Sequence, residues 1–198
     1  MAQPTHQADW PMPPGVADAF STAAVRFMTQ RHWTESDLSH LPQENRYEII
    51  DGRLLVTPPA SEDHQDWCSW AFRILDHAAP QGWRVQWDIG LRLGENLFIP
   101  DLVVLAPDAQ RANTNYNRVT PAVVVEVESR STKSVDRVDK LEAYAEAGIG
   151  SYWRIERDGK VNIYRLGGDV YSEPLALGPG NAAELDHPYP VSVAVPPG

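Results

Sequence analysis

A chain of 198 residues that is 42% hydrophobic and carries seven tryptophans is long enough to bury a core of its own. Seventeen basic residues against 27 acidic ones give a formal net charge of −10, which disfavours non-specific contact with nucleic-acid phosphates or an anionic membrane surface. The excess is not uniform, because residues 110–165 are slightly basic, and a local nucleic-acid site therefore stays open.

Residues 1–20, MAQPTHQADWPMPPGVADAF, are proline-rich and aperiodic and read as a mobile leader ahead of a single domain spanning 21–198. Residues 21–32 are compatible with a helical turn or two. WTESDLSHLP offers Thr34 as an N-cap, acids in the first turn and a proline stop, which predicts a short helix. RYEIIDGRLLVTPP reads as two strands around the turn Asp51-Gly52. In SEDHQDWCSWAFRILDHAAPQG, Ser61 is a candidate cap, and Trp67, Trp70, Ala71, Ile74, Leu75 and Ala78 recur at helical spacing. Cys68, the one cysteine, sits in that stretch and reads as a buried, inert thiol. As a single cysteine it excludes an intrachain disulfide and a cysteine cage for zinc.

WRVQWDIGLRLGENLFIPDLVVLAP reads as two strands joined by Gly94-Glu95-Asn96, and a loop rich in Asn and Arg leads to the strand AVVVEVES. SVDRVDKLEAYAEAG is the clearest helix, with Val138, Leu141 and Ala145 on one face and Gly148 at its stop. A meander follows, turning at Asp158-Gly159 and Gly167-Gly168. The last 20 or so residues read as a strand over the surface into a loose end. Helices and strands in this order predict an α/β or α+β domain with a mixed sheet, in which the valine strand, its helix and the strand at 151 form a crossover unit. No apolar run approaches the ~20 residues of a membrane span. The N-terminus lacks the basic segment and apolar core of a secretory signal, so the expected location is cytoplasmic, away from the membrane.

The valine strand carries a chemical oddity. Residues i and i+2 of a strand point to one face, so Glu126 and Glu128 project side by side from an apolar strand and call for a cation. In IPDLVVL, Asp101 opens a second apolar strand, on the face shared by Val103 and Leu105. If the two strands are neighbours, Asp101, Glu126 and Glu128 converge, and three carboxylates suit a hard divalent cation such as Mg²⁺. The six histidines show no ligand spacing such as H-x-x-x-H, so a zinc hydrolase is not indicated.

A proline-aspartate pair, then E-x-E, then a helix bearing a lysine resembles the PD-(D/E)XK nuclease superfamily. More narrowly, RYEIIDGRLLVTPPASEDH, PDLVVL and VVVEVESRSTKSVDRVDKLEAYAEAGIGSYWRI resemble the Uma family of restriction-endonuclease-like proteins, the second family of that name. The likeness runs from about residue 34 to PYPVSV. It implies a restriction-endonuclease-like core, a mixed sheet flanked by helices, with Mg²⁺- or Mn²⁺-dependent hydrolysis of DNA phosphodiesters and often a homodimer. By position, Asp101 matches the metal-binding aspartate, Glu126 the second acidic ligand, and Glu48 the additional acid that many members add. The usual lysine position, two residues after that glutamate, holds Glu128 instead. The resemblance places the lysine on the following helix, as Lys140.

Each residue has a plainer reading as well. Asp101 could cap a neighbouring backbone, Glu48 could be an exposed hairpin residue, and Lys140, four residues after Asp136, could form a surface ion pair of little weight. Glu128 either joins a metal shell or pairs with Lys140 or an arginine. His64 is a candidate substrate contact or a partly exposed helix residue. Arg130, Lys133 and Arg137 are candidate phosphate contacts or a solvated loop. Tyr144 and Trp153 read as core. Two functions follow: a metal-dependent endonuclease, or a catalytically inactive protein of the same fold serving as a dimeric interaction module. Lys140 separates them, since a side chain turned away from the carboxylates favours the second.

Overall fold

A computed structural model describes residues 32–42, 45–57, 59–111, 114–128 and 138–197. The proposed leader, the helical turns before residue 32, and Arg130, Lys133 and Arg137 lie outside the described residues. The chain runs α1 (Glu35–Leu38), β1 (Arg46–Ile50), β2 (Arg53–Thr57), α2 (Glu62–Ala78), β3 (Arg84–Trp87), β4 (Leu91–Leu93), β5 (Asn96–Phe98), β6 (Leu102–Leu105) and β7 (Val123–Val127). It continues with α3 (Lys140–Glu146), β8 (Ser151–Ile155), β9 (Val161–Gly167), β10 (Val170–Tyr171), β11 (Leu175–Leu177), β12 (Ala182–Leu185) and β13 (Val191–Ala194). No helix among the described residues is long and apolar enough to cross a membrane.

The main sheet has the order β10-β9-β8-β7-β6-β3, with β11 on β9. Its β7–β8 pair is parallel and its β6–β7 pair antiparallel, so β7, α3 and β8 form the expected crossover in a mixed sheet. The valines of β7 are buried on both faces, which is why that strand reads as a continuous apolar run. Val123, Val125 and Val127 face a core closed by Trp70, Ala71 and Leu75 of α2. Val124 faces the opposite core, with Tyr144 of α3 and with Ile50, Leu91 and Phe98. Those last three belong to a second sheet, β2-β1-β5-β4. Asp51 (φ 50°) and Gly52 (φ 72°) both adopt the left-handed conformation that a two-residue hairpin requires, and join β1 to β2.

Three expectations are corrected. Residues 84–105 form four strands, not two. Asp88 adopts φ 50° at the end of β3 and takes the chain out of the main sheet. Gly90 then passes so close to the Asn115 carbonyl that a Cβ could not fit, and Pro100 separates β5 from β6. The C-terminal segment is no loose end. β12 and β13 pair with each other, and Val191, Val193 and Val195 alternate inward into the α2-side core. Tyr189 donates to the Leu75 carbonyl at 2.6 Å and Trp70 to that of Ala194 at 3.2 Å, tying the hairpin to α2. Val138, two residues ahead of α3, is 61% exposed, and the buried residues of α3 are Lys140, Tyr144 and Ala145. The inward face of α3 carries a cation because it meets carboxylates there.

Candidate active site

The β6–β7 register sets Leu102 opposite Val125 and Val103 opposite Val124, so Asp101, one residue before β6, stands beside Glu126. Asp101 Oδ2 accepts the Val127 N–H at 2.8 Å. The turn that delivers Asp101 is clamped by alternate residues of β1. Glu48 Oε1 accepts the Ile99 N–H at 2.9 Å, and Arg46 donates to the Ile99 carbonyl at 2.8 Å. Glu48 is thus buried, not an exposed hairpin residue.

Lys140 is 2% exposed, which removes the surface ion pair as its explanation. Its Nζ lies 2.8 Å from Glu126 Oε1 and 3.1 Å from Glu48 Oε1. One helical turn on, the Tyr144 hydroxyl donates to the same Glu126 oxygen at 2.7 Å. Complete burial, and then the charge of Glu126, push the Tyr144 phenol well above its ordinary range, so it stays a proton donor. Tyr144, expected only as core, is core by its ring and part of the site by its hydroxyl.

From the other side, α2 brings His64 Nε2 to 3.2 Å from Asp101 Oδ2. Burial lowers the His64 pKa, but the hydrogen bond and charge of Asp101 outweigh it and leave the imidazole raised. For Asp101, burial acts upward, yet His64, the Val127 N–H and Lys140 together hold it low. His64 Nδ1 also meets Cys68 Sγ at 3.5 Å. Burial first, then Asp101 and Glu126, raise the Cys68 thiol, which is therefore neutral and inert as a nucleophile. Sequence reading missed this grouping. The signal is H-x-x-x-C, His64 and Cys68 one turn apart on the helix.

Glu126 meets Lys140, and of the partners open to Glu128 the described residues supply the arginine. Arg154, on the parallel neighbour β8, places its Nε 3.2 Å from Glu128 Oε1. Its NH2 reaches Glu156 at 3.2 Å, and its guanidinium lies 5.3 Å from the centre of the Tyr164 ring. Arg46, Arg154 and Arg157 had not been singled out, since basic residues scattered over strands and turns give no local signal.

Glu48, His64, Asp101, Glu126, Glu128 and Lys140 all line one open cavity of about 420 Å³, with Arg46 and Arg157 at its wall. Glu48, Asp101, Glu126 and Glu128 face that cavity, with the Lys140 ammonium between Glu48 and Glu126. Oxygen donors of this kind are the ones a hard divalent cation takes.

The mixed sheet, its crossover helix and the convergent acids define a restriction-endonuclease-like protein. Residues 34–196 match the sequence profile of the Uma2 family, described as "Putative restriction endonuclease", and the chain belongs to that family. It is also similar in fold to a crystal structure from Anabaena variabilis titled as "a putative nuclease belonging to DUF820". The TM-score is 0.65 at 18% identity, covering 77% of this chain and 89% of that one. No curated protein matches.

Proposed function

We propose that the protein is an endonuclease that hydrolyses DNA phosphodiester bonds with the aid of Mg²⁺ or Mn²⁺. The observation that carries this reading is the meeting of Asp101, Glu126, Glu48 and Lys140 in one cavity, from the turn ahead of β6, from β7, from β1 and from α3. Asp101 and Glu126 would hold the cation, with Glu48 and Glu128 as further oxygen donors. A divalent ion bound there supplies a polarised phosphoryl oxygen and a water of lowered pKa.

The chain's own residues do the rest. Lys140 presents a fixed ammonium where negative charge builds on the phosphate, and its burial makes that charge count for more than in water. Tyr144 holds the Glu126 carboxylate in one rotamer, and the Val127 N–H does the same for Asp101. Arg46 and Arg157 add positive charge at the cavity wall, which offsets locally the overall charge of −10. The inactive interaction module is disfavoured by the direction of Lys140, which points at the carboxylates.

The test is cleavage of supercoiled, linear and single-stranded DNA with Mg²⁺ or Mn²⁺, by wild type and by Asp101→Ala. Cutting by wild type alone supports the reading. No cutting of any form, or equal cutting by the variant, rejects it.

A further inference from the structure

The carboxylates do not account for everything at the cavity edge. His64 and Cys68 lie one turn apart on α2, and their side chains run in a row to Asp101: Sγ to Nδ1 at 3.5 Å, Nε2 to Oδ2 at 3.2 Å. One ligand atom from each of the three lies within 4.8 Å of the others. A tetrahedral ion with bonds of about 2.0–2.3 Å needs donor-to-donor distances of roughly 3.3–3.8 Å, and one imidazole nitrogen must serve it, so rotation of the His64 and Cys68 side chains is needed to bring the three donors onto one centre.

We propose that His64, Cys68 and Asp101 bind a borderline divalent cation such as Zn²⁺, at a site adjoining the carboxylate site and sharing Asp101 with it. The chemistry differs from that of the neighbouring oxygen donors. Imidazole and thiolate select Zn²⁺ or Co²⁺ over Mg²⁺, which favours an all-oxygen shell. The charges balance too, because a thiolate and a carboxylate neutralise a dication, with the Cys68 proton passing to solvent on binding. His64 and Asp101 line the cavity, which supplies both the entry path and an open fourth position for water. A core thiol with only a packing role needs no such alignment with an imidazole and a carboxylate.

Because Asp101 is shared, Zn²⁺ at this site would displace Mg²⁺ from the carboxylates and inhibit cleavage. That consequence rests on the proposed function; the site itself does not.

Co²⁺ titration followed by absorbance provides the test, since a cobalt–thiolate charge-transfer band can come only from Cys68, the single cysteine. Wild type is expected to develop the band to completion at one Co²⁺ per chain. Cys68→Ser should lose it, His64→Ala should weaken Co²⁺ binding by about a hundredfold, and Glu126→Gln should keep it. Wild type carries the decision, so a poorly folded Cys68→Ser variant does not spoil it. Absence of the band in wild type overturns the inference, even where Mg²⁺ binding and cleavage are normal. A band without any Mg²⁺ binding keeps the inference and counts against the nuclease reading instead.

Discussion

Lys140 Nζ meets Glu126 Oε1 at 2.8 Å inside the protein, although helix α3 and strand β7 bring them from separate elements of the crossover unit. A cation on the buried face of a helix and a carboxylate in the middle of a valine strand are each costly alone. Together, with Glu48 and Tyr144, they form a hydrogen-bonded cluster. The parallel β7–β8 pairing holds it in register, because the chain must pass over the sheet through α3 between the two strands.

Removing one member of that cluster should therefore cost more than a surface substitution does. In metal-free protein, Lys140→Met is expected to lower unfolding free energy by about 3–5 kcal/mol, because Glu126 and Glu48 stay buried without the ammonium. Adding Glu126→Gln should cost less than the sum of the two single changes. Urea denaturation in EDTA measures both, and strict additivity would argue against the pair.

Tyr144→Phe keeps the ring, which packs edge-on against Phe98 and Tyr152, and removes only the hydrogen bond to Glu126. A bond to a charged acceptor is worth about 1.5–3 kcal/mol. The variant should lose stability in that range while its far-ultraviolet circular dichroism stays that of wild type. A neutral result would mean that the hydroxyl does not hold the carboxylate.

Glu128→Lys would restore the lysine usual for the superfamily at that position, and it should destabilise the protein. The new ammonium would face the Arg154 guanidinium, now 3.2 Å from the Glu128 carboxylate, at a buried site. Destabilisation of about 3–5 kcal/mol is expected, from two buried cations with their carboxylate gone. Thermal unfolding of the variant measures it, and wild-type stability would show the Glu128–Arg154 contact to be incidental.

The His64–Asp101 contact should make stability depend on pH in a particular direction. Asp101 is held below its unfolded pKa, so its share is present above about pH 4 and lost as pH falls through the lower folded value. His64 is raised, so its share is fully present below about pH 6.5 and lost as pH rises through the folded value. The two shifts largely describe one interaction and are not to be added. In EDTA, the melting-temperature advantage of wild type over His64→Gln should peak near pH 5–6 and shrink towards pH 9. An advantage that grows with pH would contradict the pairing.

The parts of this fold that follow from local chemistry were legible in the sequence. They include the Asp51-Gly52 hairpin, helix α2 with its Ser61 cap, the valine strand, and the paired acids that call for a cation. The parts set by tertiary contact were not. Gly90 and Pro100 break one apparent strand pair into four because of what lies beside them, and the VSVAV alternation of β13 is fixed by α2, far away in sequence. At the site, Asp101 and Glu126 stand out as charges in apolar patterns, whereas Lys140 lies beside the apolar stripe of its helix and is picked out by the family resemblance alone. Arg154 became a partner of Glu128 only through the β7–β8 register, and His64 met Asp101 only through the packing of α2 on β6.

The central claim is that the carboxylates of β6 and β7 hold a divalent cation, and Mg²⁺ titration calorimetry on wild type and Glu126→Gln tests it most directly. A nuclease-resistant duplex should be included, because Mg²⁺ commonly completes its shell with phosphate oxygens. Wild type is expected to show a binding site that the substitution removes, with the variant still folded by circular dichroism. Equal binding by the two proteins, or no binding by wild type even with the duplex present, would contradict the site.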